Sequence, residues 1–278
     1  MIQVENVWYS YVEGHYALKE ISFSISKGEL VCIMGANGAG KTTLIKIISG
    51  LLKPTRGKVF LDGVDVGRIP REAIVRKIGV VFQNPDHQIF SETVEGEVSF
   101  ALKNVRLDER EIKEKVKEAL YELGIEKYRF TSPLTLSEGE RKLVTLASVI
   151  ALDPEIIMLD EPTAGQDGAN KRKIQGIIRK MVAEGRTVIV VTHDVEFCAE
   201  LLPRVMVMAK GRLVADGDAR DILTNFEILR EARLKPPVMV ELAKKLDGMI
   251  RFEKKPITVD EAAELIAEKL GWPHCCKP

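Results

Sequence analysis

The sequence predicts an α/β fold built on a mostly parallel sheet. Three short apolar runs, at 29–34, 155–159 and 187–191, alternate with helical segments, the pattern of a sheet covered on both faces. A glycine-rich turn at 35–43 joins the first run to a helix, and strand-like stretches near the start predict an antiparallel sheet beside this core. With 278 residues, the chain has room for one large α/β domain and an appendix.

In chain order, Ile2 to Tyr11 and Ala17 to Ile25 read as strands. Glu29 to Met34 is short, apolar and β-branched enough for an interior strand, and Leu44 to Gly50 continues as a helix behind the turn. Lys58 to Val66 reads as a hairpin turning on Asp62-Gly63. Over 108–124, Ile112, Val116, Leu120 and Leu123 share one helical face, with Asp108 as N-cap, Gly124 past the C-terminus and the charges on a solvated face. Gly211 to Gly217 is another hairpin-like stretch. Beyond it the character shifts to short helices broken by Pro236, Pro237 and Pro256. Thr258 and Glu261 there have capping-box spacing before a helix over 259–270.

Composition narrows the classes. Lys plus Arg equals Asp plus Glu at 41 each, so no global field draws the chain to nucleic acid or an anionic membrane. The longest apolar run, Leu143 to Leu152, is interrupted by Thr145 and Ser148 and falls short of the roughly 18 to 20 residues that cross a bilayer. If a membrane is involved, another chain spans it. The N-terminus lacks the basic and apolar regions of a signal peptide, which predicts a cytoplasmic protein. Cys32 and Cys198 read as small buried apolar residues. Cys275 and Cys276, beside His274, are either metal ligands or part of a frayed tail.

Gly35-Ala-Asn-Gly-Ala-Gly-Lys-Thr-Thr43 is a phosphate cradle, or P-loop. Glycines at 35, 38 and 40 let backbone N–H groups wrap a triphosphate, and the helix N-terminus adds partial positive charge there. Lys41 would span the β- and γ-phosphates, the Thr42 hydroxyl would bind Mg²⁺, and Asn37 and Thr43 complete the nucleotide-facing set.

Further motifs follow in a fixed order: Gln83 after Ile78 to Phe82, Leu136-Ser-Glu-Gly-Glu140, Ile156-Ile-Met-Leu-Asp160-Glu161, Ala164-Gly-Gln-Asp167, and His193 after Val188 to Thr192. On these residues the chain resembles the ATP-binding-cassette (ABC) ATPases over about residues 1–220. The resemblance implies ATP and Mg²⁺ as ligands, a P-loop core, an antiparallel β subdomain and a helical signature subdomain at about 86–150. It leaves 221–278 as a C-terminal helical appendix. Asp160 would hold Mg²⁺ with Thr42 and Gln83, while Glu161 polarises the attacking water. His193 would contact the γ-phosphate, and Tyr11 would stack on adenine, although Trp8, Tyr9 and Tyr16 lie nearby and any of them could be core.

The resemblance also implies a head-to-tail pair, in which Ser137, the backbone N–H of Gly139 and Asp167 act on nucleotide held by the partner's P-loop. The signature departs from the usual LSGGQ, since Glu138 stands for glycine and Glu140 for glutamine. Both carboxylates are expected to turn toward basic neighbours such as Arg141 or Lys142 rather than toward nucleotide.

Within the family, Gln83 to Phe100 resembles the ATPase subunits of energy-coupling-factor (ECF) importers of vitamins and of cobalt or nickel ions. Asn84, Pro85, Asp86, Gln88 and Phe90 match that pattern. The resemblance implies a short extra helix at a groove for a transmembrane subunit, with Asp86, Glu92 and Glu95 facing arginines and Ile89 and Phe90 as apolar seating. The other reading makes Ile89, Phe90, Val94 and Val98 one packed helix face. Implied partners are a second ATPase subunit, identical or related, a membrane coupling subunit and a substrate-binding membrane subunit, with no nucleic acid. The implied location is peripheral, on the cytoplasmic face of the cell membrane, and the appendix would hold two ATPase subunits together. An ATPase subunit of a conventional ABC importer or exporter is the alternative. The stretch from Thr43 to Leu136 is too short for the coiled coil of DNA-repair cassettes.

Overall fold

The computed structural model describes residues 1–105, 107–246 and 254–270. Strands β1 (Ile2–Val12) and β2 (His15–Ile25) form an antiparallel pair, and β3 (Leu30–Met34) leads through the glycine-rich turn into α1 (Lys41–Ile48). There follow β4 (Arg56–Leu61), β5 (Val64–Asp65), α2 (Arg71–Lys77) and β6 (Ile78–Val81). A helical stretch holds α3 (Val94–Asn104), α4 (Glu109–Glu122) and α5 (Glu138–Ala151). The chain then alternates through β7 (Ile156–Asp160), α6 (Gly168–Ala183), β8 (Thr187–Thr192) and α7 (Val195–Leu201) before the hairpin of β9 (Arg204–Ala209) and β10 (Arg212–Asp218). After it come α8 (Ala219–Leu223), α9 (Phe226–Glu231), α10 (Val238–Leu246) and α11 (Val259–Leu270).

The central sheet runs β10-β9-β3-β8-β7-β6 and is parallel except for β10. Its side chains alternate between two cores. Val31, Ile33, Met158, Ile189 and Met206 join α1 and the antiparallel sheet, while Cys32, Met34, Ile157, Val190 and Val205 join the helices on the other face. Burial on both faces is why these strands read as unbroken apolar runs. Both Cys32 and Cys198 are buried, as expected. His274, Cys275 and Cys276 lie outside the described residues.

The second sheet, β2-β1-β4-β5, is antiparallel. Its hairpin turns on Asp62 and Gly63 at φ 51° and 82°, with Leu61 opposite Val64, the left-handed pair that a two-residue turn requires. Asp62 also receives the N-terminal amine at 2.7 Å and Lys77 at 2.9 Å, and these hydrogen bonds hold its carboxyl well below the usual range.

Helix α4 carries the expected N-cap: Asp108 and Glu111 form a reciprocal capping box, with Gly124 at φ 61° beyond the last turn. Elsewhere the structure corrects the reading. The stretch 211–217 is not itself a hairpin: all but Gly211 lies in one strand, β10, whose partner β9 reaches it through a turn at Lys210-Gly211. At α11, Thr258 accepts the Glu261 N–H at 3.3 Å, but the Glu261 carboxylate turns to the Ile257 N–H and Arg220, each at 3.0 Å. A half-buried guanidinium outcompetes the reciprocal half of that capping box.

Candidate active site

Strand β3 delivers the P-loop to the end of the sheet, where α1 begins. Gly40 takes φ 103°, and a Cβ there would stand 2.7 Å from the Ala17 carbonyl oxygen and 2.8 Å from Leu18 Cδ2. Only glycine therefore lets the turn close against β2. Gly38 at φ 81° faces open space, so its need is conformational. Lys41 is buried and curls back, its Nζ donating to the carbonyls of Gly35 at 2.6 Å and Ala36 at 3.2 Å. Burial lowers its pKa, and the nearby Glu161 and Asp160 oppose that shift.

Asp160 ends β7 with its side chain buried. Thr42 Oγ1 donates to its Oδ2 at 2.7 Å, while its Oδ1 has no hydrogen-bond partner among the described residues. An orphaned buried carboxylate oxygen beside a threonine hydroxyl is a hard oxygen donor set, which fits Mg²⁺. Burial pushes the Asp160 carboxyl up, with the Thr42 hydrogen bond pulling the other way.

Glu161 sits at φ 51°, held by its N–H to the Val191 carbonyl at 2.8 Å. A left-handed conformation costs a non-glycine residue about 1 to 3 kcal/mol, and here it aims the side chain across the strand ends. Its carboxylate accepts from Thr192 Oγ1 at 3.2 Å, meets His193 Nδ1 at 2.8 Å and lies 3.8 Å from Lys41 Nζ. β3, β7 and β8 thus bring Lys41, Asp160, Glu161 and His193 together. A cavity of about 620 Å³ opens beside them, lined by Asn37, Glu161, Lys171, His193, Arg233 and Lys235 among others.

Other expected residues stand elsewhere. Gln83 is exposed just past β6 and makes no hydrogen bond to this cluster among the described residues. Tyr11 is exposed near the end of β1, its hydroxyl 3.2 Å from Thr43 Oγ1, and it stacks edge-on with Tyr9. Trp8 and Tyr16 pair with each other instead. Ser137 caps α5, exposed to solvent, and no hydrogen bond joins it to its own P-loop among the described residues. The Gly139 carbonyl accepts from Gln166 Nε2 at 3.0 Å, and Asp167 caps α6 by accepting from the Asn170 N–H at 2.7 Å.

The two signature glutamates part ways. Glu138 Oε1 lies 3.9 Å from Lys142 Nζ, as expected. Glu140 does not reach Arg141 or Lys142. It accepts from the Ser137 N–H at 2.9 Å, the Ser137 hydroxyl at 2.7 Å and the Tyr128 hydroxyl, which with the other bonds lowers its pKa. Its place as the third residue of α5 makes it the capping-box acceptor.

The stretch after Gln83 forms a single 3₁₀ turn over Pro85–His87, begun by Asn84 accepting from the Asp86 N–H at 2.9 Å. The acidic groove is corrected here. Asp86, though exposed, pairs with Arg141 at 3.0 Å and Glu95 with Arg129 at 2.6 Å, which leaves Glu92 as the member without an ion pair among the described residues. Ile89 is buried and Phe90 exposed. What opens instead is a mainly apolar cleft of about 270 Å³, with Leu51, Val75, Phe90 and Phe100 exposed along it. Gln88 pins its floor, donating to the Val80 carbonyl at 2.9 Å and accepting from the Phe82 N–H at 2.8 Å, like a side chain added to the sheet edge.

Two contributions were missed. Lys142 is 4% exposed, and its Nζ donates to the carbonyls of Ala164 at 2.5 Å and Glu161 at 3.4 Å, so it braces the segment after β7. The second is the turn after α9, where the Ala232 carbonyl accepts the P-loop Ala36 N–H at 3.2 Å and brings Arg233 and Lys235 to the cavity.

A family model described as ABC transporter matches residues 18–164. The energy-coupling factor transporter ATP-binding protein EcfA of Methanothermobacter thermautotrophicus is 39% identical over 274 residues, covering 98% of this chain and 88% of that protein. Among solved structures, cbiO1 of Clostridium perfringens, described as part of the ABC transporter complex cbiONQ, aligns with TM-score 0.74 at 36% identity, covering 87% of this chain and 98% of that one. The cassette MJ0796, solved as a dimer, aligns with TM-score 0.73 at 32% identity, covering 79% and 99%.

Proposed function

The chain belongs to the ABC transporter family as an ATPase subunit of the energy-coupling-factor type, and on that premise we propose that it couples ATP binding and hydrolysis to uptake of a vitamin or transition-metal ion through separate membrane subunits. In this reading the turn from Gly35 to Thr43 cradles the triphosphate, and Tyr11 lies against the adenine. Lys41 leaves the carbonyls of Gly35 and Ala36 for the β- and γ-phosphates, which compensate a buried ammonium better than carbonyls do.

Glu161 takes the proton of the attacking water. Thr192 and His193 hold its carboxylate at the strand ends, and His193 exchanges that contact for the γ-phosphate. Thr42, Asp160 and Gln83 hold Mg²⁺, which when bound neutralises charge developing on the phosphates. Ser137, Gly139 and Asp167 act on nucleotide held by a second subunit, a reading supported by the exposed Ser137 and by the similar cassette that forms a dimer.

The observation that carries the transport reading is the apolar cleft directly behind Gln83. A mainly apolar groove with exposed aromatic rings suits a helix of another chain. No described helix is long and apolar enough to cross a membrane. In this reading the subunit sits peripherally on the cytoplasmic face, held by its membrane partners. The test is affinity purification from native membranes with mass spectrometry. Two small integral membrane proteins, with or without a second ATPase, are expected. A conventional permease would favour an ordinary ABC importer or exporter.

A further inference from the structure

We infer that Glu138 of one copy pairs with Arg233 and Lys235 of a second copy of this chain, so that the nucleotide-closed pair is a homodimer fastened by charge at both of its sites. This rests on the head-to-tail reading above.

Arg233 and Lys235 are placed by the end of α9. The Leu234 N–H donates to the Leu229 carbonyl at 2.8 Å and the Arg233 N–H to Arg230 at 3.1 Å, with Arg233 at φ 56°. That closing turn ordinarily takes glycine, and here it carries a guanidinium instead. The Ala36 N–H bonded to Ala232 fixes the turn against the P-loop, so both cations line the cavity beside Asn37 and His193. Both are exposed, and neither has an ion-pair partner among the described residues. The third cation of this cavity, Lys171, is paired with Asp194 at 2.6 Å.

Glu138 supplies the opposite charge. Its side chain is 59% exposed, and its nearest cation, Lys142 at 3.9 Å, is buried and bonded to the carbonyls of Ala164 and Glu161. The carboxylate lies over Gly165, about 3.6 Å from where a Cβ on that residue would be, one residue along the chain from Ser137 and beside the loop that runs on to Asp167. For Ser137 to reach the γ-phosphate held by a partner, this face must close over the partner's Asn37 and His193. There an unmatched carboxylate would repel the triphosphate. Arg233 and Lys235 line that surface, and two-fold symmetry supplies the pairing twice. A glutamate in place of the usual glycine thus becomes a recognition element for a second copy of the same chain.

The experiment uses full-length Glu161→Gln protein as parent, to hold ATP unhydrolysed. Sedimentation equilibrium gives the dimer dissociation constant with and without ATP, and the ratio isolates nucleotide-driven closure from any contact made by the appendix. In the parent, Glu138→Lys and the double variant Arg233→Glu/Lys235→Glu are each expected to shrink that ratio by about tenfold or more. An equimolar mixture of the two variants matches both sites again and is expected to recover the parental ratio, which damage to folding would not do. If either variant closes like the parent, or the mixture stays as weak as its components, the inference is overturned while the head-to-tail reading stands. If ATP leaves the parent's constant unchanged, both are overturned.

Discussion

Arg141 Nε lies 3.0 Å from Asp86 Oδ1, tying the turn behind Gln83 to the first turn of the helix that Ser137 caps. The same guanidinium donates through Nη1 to the Leu136 carbonyl at 2.8 Å. The turn that leads into the apolar cleft and the start of the signature helix therefore share one side chain. In the transport reading, a partner helix that displaces this turn would reach the helix capped by Ser137 through that one guanidinium.

Asp86→Arg sets two guanidiniums against each other. Because Asp86 is more than half exposed, water screens the pair and its contribution to stability is no more than about 1 kcal/mol. The expected outcome is weaker co-purification with membrane subunits and unchanged ATP affinity. Restoration is expected in Asp86→Arg/Arg141→Asp. Co-purification unaltered in the single variant would remove the link.

In the proposed reading, Asp160 makes metal binding depend on pH. Burial raises its carboxyl above the usual 3.8. The protonated form therefore favours folding, fully below pH 3.8, and that contribution is lost as pH rises through the raised folded value. At neutral pH the carboxylate is a cost that a cation offsets. Thermal stabilisation by Mg²⁺-ATP over ATP with chelator should be clear at pH 7, shrink as pH falls through the raised value, and vanish in Asp160→Asn. Equal stabilisation of that variant would rule out Asp160 as a metal holder.

Lys142 braces the segment after β7 through the carbonyls of Glu161 and Ala164. Lys142→Met keeps the length of the stem but leaves the carbonyls of Ala164 and Glu161 without their donor, at a cost of about 1 to 3 kcal/mol. Denaturant unfolding should register that loss. Turnover should fall with little change in KM for ATP, because Lys142 bonds the backbone behind Glu161 rather than nucleotide. A variant as stable and as fast as the parent would show that the brace carries nothing.

These residues also mark how far the sequence could be read. β3, β7 and β8 were legible because burial on both faces leaves an unbroken apolar run. β6 and β9 were not separated, since Ile78 follows Lys77 of α2 with no turn residue and β9 begins directly after Pro203. At the site, Lys41, Thr42, Asp160, Glu161 and His193 were named as motifs and stand together, because each lies within or just past the end of a central strand or at the helix after it. Lys142 was weighed only as a partner for the signature glutamates. Helical periodicity assigns a lysine to a solvated face, and nothing in it signals a buried one bonded to carbonyls. The contact of Ala232 with Ala36 joins backbone atoms across most of the chain and carries no residue-type signal.

Arg220 and Glu261 offer a way to test the appendix as a dimerisation element. They join α8 to α11, with Nη1 and Oε2 at 3.0 Å, and Nη1 also donates to the Lys255 carbonyl at 3.1 Å. Removing everything after Gly217 would be a poor test, because Leu223 and Leu229 are buried in the main core and Ala232 caps the P-loop. Glu261→Arg instead repels Arg220 and frees α11 alone. The nucleotide-free dimer should weaken while ATP affinity stays. The Arg220 hydrogen bonds lower the Glu261 pKa below its usual 4.5, so the pair's contribution is present above pH 4.5 and is lost as pH falls through the depressed value. Acidification through that window should therefore weaken the parental dimer more than a Glu261→Gln dimer. Equal acid sensitivity of the two would detach this pair from dimerisation.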